Sequence, residues 1–198
     1  MKTAGIVFII LCMVIGCSED STIDKYNKLV KKELKSNQRV DSIFFGIHLG
    51  MAQQRFFMHC WDMNKKGILT DGNDLGGSMT VLYKLPNELK YPASMNFYPD
   101  FQDSTIWKMR VTFHYDGWMP WNKSLGADSL FQEVVGMYKK WYSEGNSFIQ
   151  IDDEKRGTVY VKVDGNRRIT IKKHDDVAVK VEYVDMLVEK QIKDTNGK

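Results

Sequence analysis

The chain has 198 residues, 43% of them hydrophobic and 27% charged, with a formal net charge of +3. That is the composition of a globular protein, and it excludes a disordered polymer, a collagen-like repeat and the strongly basic balance of a nucleic-acid binder.

Lys2 gives a short positive start, and Ile6 to Ile15 form an unbroken apolar run of ten residues. A helix needs about 20 to cross a bilayer. The run ends at Val14-Ile15-Gly16-Cys17, which resembles a bacterial lipobox. The resemblance implies that residues 1–16 are a removed signal peptide, that Gly16 fits the peptidase pocket at the cut, and that the Cys17 thiol takes the lipid. Ser18-Glu19-Asp20 is similar to the short acidic export signals behind the lipid cysteine of surface lipoproteins in Bacteroidota. This implies an outer-membrane protein anchored in the periplasmic or the surface-facing leaflet. Removing residues 1–16 leaves 182 residues with 27 basic and 25 acidic side chains, since Lys2 is the only charge lost. Cys60 is then the single free thiol, so an internal disulfide is excluded and a buried core must hold the fold.

Ser21 to Lys35 reads as a lysine-rich amphipathic helix capped by Ser21, with Ile23, Tyr26, Val30 and Leu34 near helical spacing. Asp24 and Glu33 interrupt its positive face, so it is read as a solvated helix within a lipidated tether, residues 17–40. Folded structure is expected from Asp41. After Ile43-Phe44-Phe45 and an apolar turn between Gly46 and Gly50, a helix is predicted from Met51 to Lys66. Phe56, Cys60 and Met63 form its apolar row, Phe57 and Trp61 widen it, and Gly67 ends it. Asp71 to Ser78, with three glycines, reads as a loop. Met79 to Leu85, Ser94 to Tyr98 and Ile106 to Tyr115 read as strands.

A second helix is predicted from Asp128 to Tyr142. Leu130, Val134, Met137 and Trp141 make one row, Phe131, Val135, Tyr138 and Tyr142 the next, and so broad a face requires burial. Further on, Val159, Val161 and Val163 alternate with Thr158, Tyr160 and Lys162, and Asp164-Gly165 turns the chain. Ile169 and Ile171 follow, then a turn at His174-Asp175-Asp176, then Val177, Val179, Val181 and Tyr183. This predicts a C-terminal three-stranded β-meander, buried on one face with Lys, Arg and Glu outward.

The element order predicts an α+β fold: a single domain, 41–198, of two helix-plus-antiparallel-sheet halves, 41–116 and 124–192. Gly46 to Met51 followed by a helix and antiparallel strands resembles the small lipoproteins of the barrel-assembly machinery and the related β-lactamase-inhibitor-protein modules, although Ala52 stands where that pattern has a capping Ser or Thr. Phe45-Gly46-Ile47, Met95-Asn96-Phe97-Tyr98-Pro99, Pro120-Trp121-Asn122-Lys123 and Val163-Asp164-Gly165-Asn166-Arg167 are similar to uncharacterised lipoproteins of gut Bacteroidota. That second resemblance implies location and fold and brings no known chemistry.

No catalytic residue is assigned. Adjacent side chains on a helix diverge by about 100°, so His59 and Cys60 do not form a dyad, and Cys60 reads as a buried, inert thiol. The histidines at 48, 59, 114 and 174 lack zinc-site spacing. Asp71-Gly72-Asn73-Asp74 lacks the alternating acids of a calcium loop, and Asp152-Asp153-Glu154 reads as a hairpin turn. Neither a metal nor a cofactor is expected. Tyr115, Asp116, Trp118, Trp121 and Asn122 crowd one connection, where aromatic rings beside amide and carboxylate groups suit a sugar or a partner protein. Tyr91, Phe97, Tyr98 and Phe101 are candidates to extend that patch. Within it Trp121 is expected to be structural and Trp118 exposed.

The leading reading is a non-enzymatic binding or assembly module of the cell envelope, partnered by the membrane through its lipid and by an envelope protein or glycan. The alternatives are a hydrolase using His114, Asp116 and Glu133, and a protein inhibitor.

Overall fold

The computed structural model describes residues 21–73, 79–153 and 157–197. The expected signal segment, Cys17 and Ser18-Glu19-Asp20 lie outside the described residues, as do Asp74 and Glu154. The helices are α1 (Thr22–Lys35), α2 (Gln53–Lys65), α3 (Ala127–Trp141) and α4 (Met186–Asn196). The strands are β1 (Thr70–Asn73), β2 (Met79–Leu85), β3 (Ala93–Gln102), β4 (Thr105–Tyr115), β5 (Ile149–Asp153), β6 (Gly157–Asp164), β7 (Arg167–Lys173) and β8 (Ala178–Asp185). The protein is α+β, with one antiparallel sheet in the order β1-β2-β3-β4-β8-β7-β6-β5. A helix precedes each four-stranded meander, α2 before β1–β4 and α3 before β5–β8, and the meanders meet where β4 pairs with β8.

Local chemistry sets the helix ends. The Ser21 hydroxyl accepts from the Asp24 amide at the start of α1, and the Asp185 carboxylate accepts from the Leu187 and Val188 amides at the start of α4. Gly67, at φ +70°, follows α2 in the left-handed region that glycine tolerates.

The main core lies between the sheet and the pair α2 and α3. It holds Phe56 of α2, Leu130, Val134 and Tyr138 of α3, and Met95, Phe97, Val111, Phe113, Ile171 and Val181 of the strands. Across β4, β8 and β7 the apolar positions are in phase, since Ile171 pairs with Val181 and Val181 with Val111. β6 is out of phase. Its turn with β7 pairs Val163 with Arg168 and Val161 with Thr170. Because side chains alternate with a period of two, this offset sends the β6 valines to the other face. There Tyr26, Leu29, Val30 and Leu34 of α1 pack on them in a second core. α1 is therefore not the solvated tether expected from its charges but a layer docked against β5 and β6.

The offset also turns Lys162 inward. Expected among the outward cations of the meander, it is 1% exposed. Its ammonium donates to the Glu144 carbonyl at 2.7 Å and to that of Asn146, and pairs with Asp164 at 3.2 Å. Asp164 in turn takes Arg167 at 3.1 Å and the Asn146 amide at 2.8 Å. Arg167 donates to the Ser42 carbonyl at 2.6 Å, and the Asn166 side chain accepts from the Val40 amide at 2.7 Å. Arg39 bridges Asp41 and the buried Asp185 at 2.8 and 2.9 Å. These bonds clamp the segment that carries the chain from α1 on one face, around the β6–β7 turn, to Ile43 in the main core on the other. Gly165, at φ +53°, sits directly against the crossing segment, where a Cβ would collide with the Gln38 carbonyl.

Other expectations are revised. Asp71–Asn73 belong to an edge strand rather than a loop, and β5 and α4 were not anticipated. Phe57, Trp61 and Trp141 are exposed rather than buried. The sheet meets only one side of α2, where Phe56 alone is fully buried, and Trp61 is instead covered by the Lys65 ammonium, 3.4 Å from its ring centre.

Asp164→Ala strands two buried cations, and urea unfolding should show a loss of about 3 to 5 kcal/mol. Gly165→Ala should also destabilise, through its positive φ and the contact with Gln38. A loss below about 1 kcal/mol for Asp164→Ala would show that the cluster does not hold the crossing.

Candidate functional site

On the second face of the sheet α1 packs over β5 and β6 and α4 beside β8, with the β3–β4 turn at the flank of α4. Toward β2, β3 and β4 that face is mostly polar, with Leu82 opposite Asn96 as an apolar member. A small groove of about 90 Å³ runs along it, lined by Asn96, Tyr98, Arg110, Thr112, Lys180 and Glu182. Strand register places Lys84, Ser94 and His114 as cross-strand neighbours at the end of this face, and Asp116 follows two residues after His114.

The row is tightly bonded. The Lys84 ammonium donates to the Ser94 hydroxyl at 2.8 Å and to Asp116 at 3.0 Å, and the Ser94 hydroxyl donates to the other Asp116 oxygen. Burial works against the Asp116 charge, but the bonds from Ser94 and Lys84 outweigh it and hold the carboxyl below its usual range. Burial pushes His114 below the ordinary imidazole value, with Asp116 opposing and Lys84 reinforcing the shift. The His114 Nδ1 is buried without a partner, and no hydrogen bond joins His114 to Ser94 among the described residues. Ser94 is 1% exposed and hydrogen-bonded to a weakly basic carboxylate. It therefore lacks both the access and the base that nucleophilic catalysis requires. The row suits recognition through fixed charges and hydrogen bonds.

The hydrolase trio does not converge. His114 and Asp116 share the polar face, whereas Glu133 lies with α3 beside the main core, accepting from the Lys90 amide at 2.8 Å. Burial, together with that carboxylate, pushes up the pKa of Tyr115.

The aromatic connection is likewise redistributed. Tyr115, expected at the surface, is 1% exposed and faces the core, in edge contact with Tyr91. Phe97 is buried in the core, and Phe101 packs on Phe56 and Phe57 of α2, so neither extends the patch. The expected division between the tryptophans is reversed: Trp121 is 80% exposed, while Trp118 is half-buried. Strand β4 ends at Tyr115, so Asp116 and Trp118 are the residues held close to the sheet, and Trp121 stands at the far side of the loop. Asn122 braces the loop, its amide donating to the Met119 carbonyl at 2.9 Å and its side chain accepting from Ser124 at 2.6 Å.

Elsewhere, Cys60 packs against the main core and lines a cavity of about 800 Å³ between α2 and the β1–β2 edge. Desolvation raises its pKa to about 12, which keeps the thiol protonated at neutral pH. His59 turns away and contacts the Phe45 carbonyl at 2.7 Å. Among the described residues no group of three His, Cys, Asp or Glu side chains is placed to hold a metal ion. No family model, curated protein or solved structure matches this chain.

A histidine whose pKa is lowered by folding contributes stability that is present above its ordinary value of 6.5 and lost as pH falls through the folded value. Unfolding measured from pH 7 to 5 should therefore show a loss that His114→Gln reduces; an identical slope in the variant would remove His114 from the row's energetics. Trp121→Ala should change stability by no more than about 0.5 kcal/mol, as surface sites do, and Trp118→Ala by more. Thermal melts giving the opposite order would contradict the placement of the two rings.

Proposed function

We propose that this protein is a lipid-anchored lipoprotein of the outer membrane, held by an acylated Cys17, and that it acts as a non-enzymatic binding module for an envelope protein or glycan. The likeness of Val14-Ile15-Gly16-Cys17 to a lipobox supports the anchor. The observation that carries the binding role is the polar second face of the sheet, which ends in the bonded row Lys84, Ser94, His114 and Asp116 beside an exposed tryptophan loop. Lys180 and Lys172 are cross-strand partners on that face, and like charges placed opposite each other cost stability. An approaching acidic or hydroxyl-rich surface would relieve that repulsion. Two or three acyl chains, at about 0.8 kcal/mol per buried CH₂, hold such a module without a membrane-spanning segment, and no described helix is long and apolar enough to be one.

Cys17→Ser should leave the chain out of the membrane fraction and unlabelled by fatty acid; unchanged fractionation and labelling would end the lipoprotein reading. A photo-crosslinking residue at Thr112 or Lys180 should capture a partner in intact cells, whereas one at the exposed Lys140 of α3 should not. Equal capture from both positions would contradict a partner surface on the polar face.

A further inference from the structure

We propose that the loop from Asp116 to Lys123 rests on the lipid surface to which the chain is anchored, with the Trp121 indole and the Met119 side chain entering the headgroup region. The inference rests on acylation of Cys17 and adds a second, protein-mediated membrane contact.

The direction of α1 carries it. Glu33, in the last turn of α1, accepts from the Gly165 amide at 2.9 Å, which fixes that end of the helix at the β6–β7 turn. From there α1 runs against β6 and β5, and β5 flanks only the part of β6 from Gly157 to Val161, remote from Gly165. The start of α1 therefore points toward the opposite end of the sheet. Cys17 precedes Ser21 by four residues, a reach of at most about 14 Å, so a lipid anchor at Cys17 is tethered close to the start of α1.

The tryptophan loop is at the same end. It follows Tyr115, which pairs with Ala93 at the close of β4, and its far side is tied to the β7–β8 turn by the Ala127 amide donating to the Asp176 carbonyl at 2.9 Å. Trp121 and Met119 are 80% and 48% exposed on a loop already braced by Asn122, so ordering them at a membrane costs little further entropy. Tryptophan favours the interface because its ring is apolar while its N–H remains hydrated. Of the acids near the loop, Asp116 pairs with Lys84 and Asp128 with Lys173, and Asp175 accepts from the Val177 and Ala178 amides, while Asp176 of the β7–β8 turn is exposed. Lys123, exposed in the loop's short final turn, has no acid partner among the described residues. With the anchor and the loop both on the bilayer, the strands rise from it and the polar face is presented sideways rather than tumbling on a lipid tether.

The test uses the acylated full-length mature chain in vesicles of phosphatidylethanolamine and phosphatidylglycerol doped with phosphatidylcholine brominated near the headgroup. Tryptophan emission should be quenched by the brominated lipid. Trp121→Ala should abolish more than half of that quenching, while Trp61→Ala, which removes an exposed ring at the opposite edge of the sheet, should leave it unchanged. Fatty-acid labelling of the same preparations reports the anchor separately. A labelled chain whose quenching survives Trp121→Ala, or is lost in Trp61→Ala, overturns loop docking and leaves the anchor intact. An unlabelled chain removes the anchor and overturns the docking with it.

Discussion

The fold turns on a small group of buried charges at one end of the sheet. Asp164 sits between Lys162 and Arg167, all nearly removed from water, and the carbonyls of Ser42, Glu144 and Asn146 accept from the guanidinium and the ammonium, while the Arg167 Nε is buried without a partner. Isolated, any of these charges would cost several kcal/mol to bury. Bonded together they fix three separate pieces of chain: the crossing segment after α1, the connection between α3 and β5, and the β6–β7 turn. Because the crossing segment passes from one face of the sheet to the other at this point, the cluster determines which helix covers which face.

Much of this was legible in the sequence, and the part that was missed has a definite cause. The strands from Met79 to Leu85 and from Ile106 to Tyr115, both long helices and the two C-terminal turns follow from apolar spacing and glycine placement, and they stand where expected. The meander was read as singly buried because each strand alternates cleanly by itself. Alternation within strands does not reveal the phase between them. With a turn at Gly165-Asn166, odd-numbered residues of β6 pair with even-numbered residues of β7, so Val163 lies beside Arg168. Counting across the turn would have revealed that β6 needs cover on both faces, that Lys162 must be buried, and that Tyr26, Leu29, Val30 and Leu34 are that cover rather than part of a tether.

The candidate site was legible in a different proportion. Crowded aromatics drew attention to residues 115–122, where Trp121 is exposed against expectation, and neighbouring letters on a strand point to opposite faces. Tyr115 thus belongs to the core and Asp116 to the surface. The row of Lys84, Ser94 and His114 is assembled from three strands separated by 10 and 20 positions, with no local signal; only strand register brings them together. The same clamp that docks α1 over β5 and β6 leaves the polar row toward β4 outside the cover of α1, so the architecture of the candidate site is a consequence of the crossing.

Native-state hydrogen exchange tests that dependence most directly. The amides of Val40, Asn146 and Gly165 donate to the side chains of Asn166, Asp164 and Glu33. If the clamp holds the fold, these three should exchange only with the global unfolding that releases the amide of Ile171 in the centre of β7. Exchange of Val40 and Gly165 through a local opening several kcal/mol below that level, with Ile171 still protected, would show that the sheet stands without the crossing and would contradict the central role assigned to it.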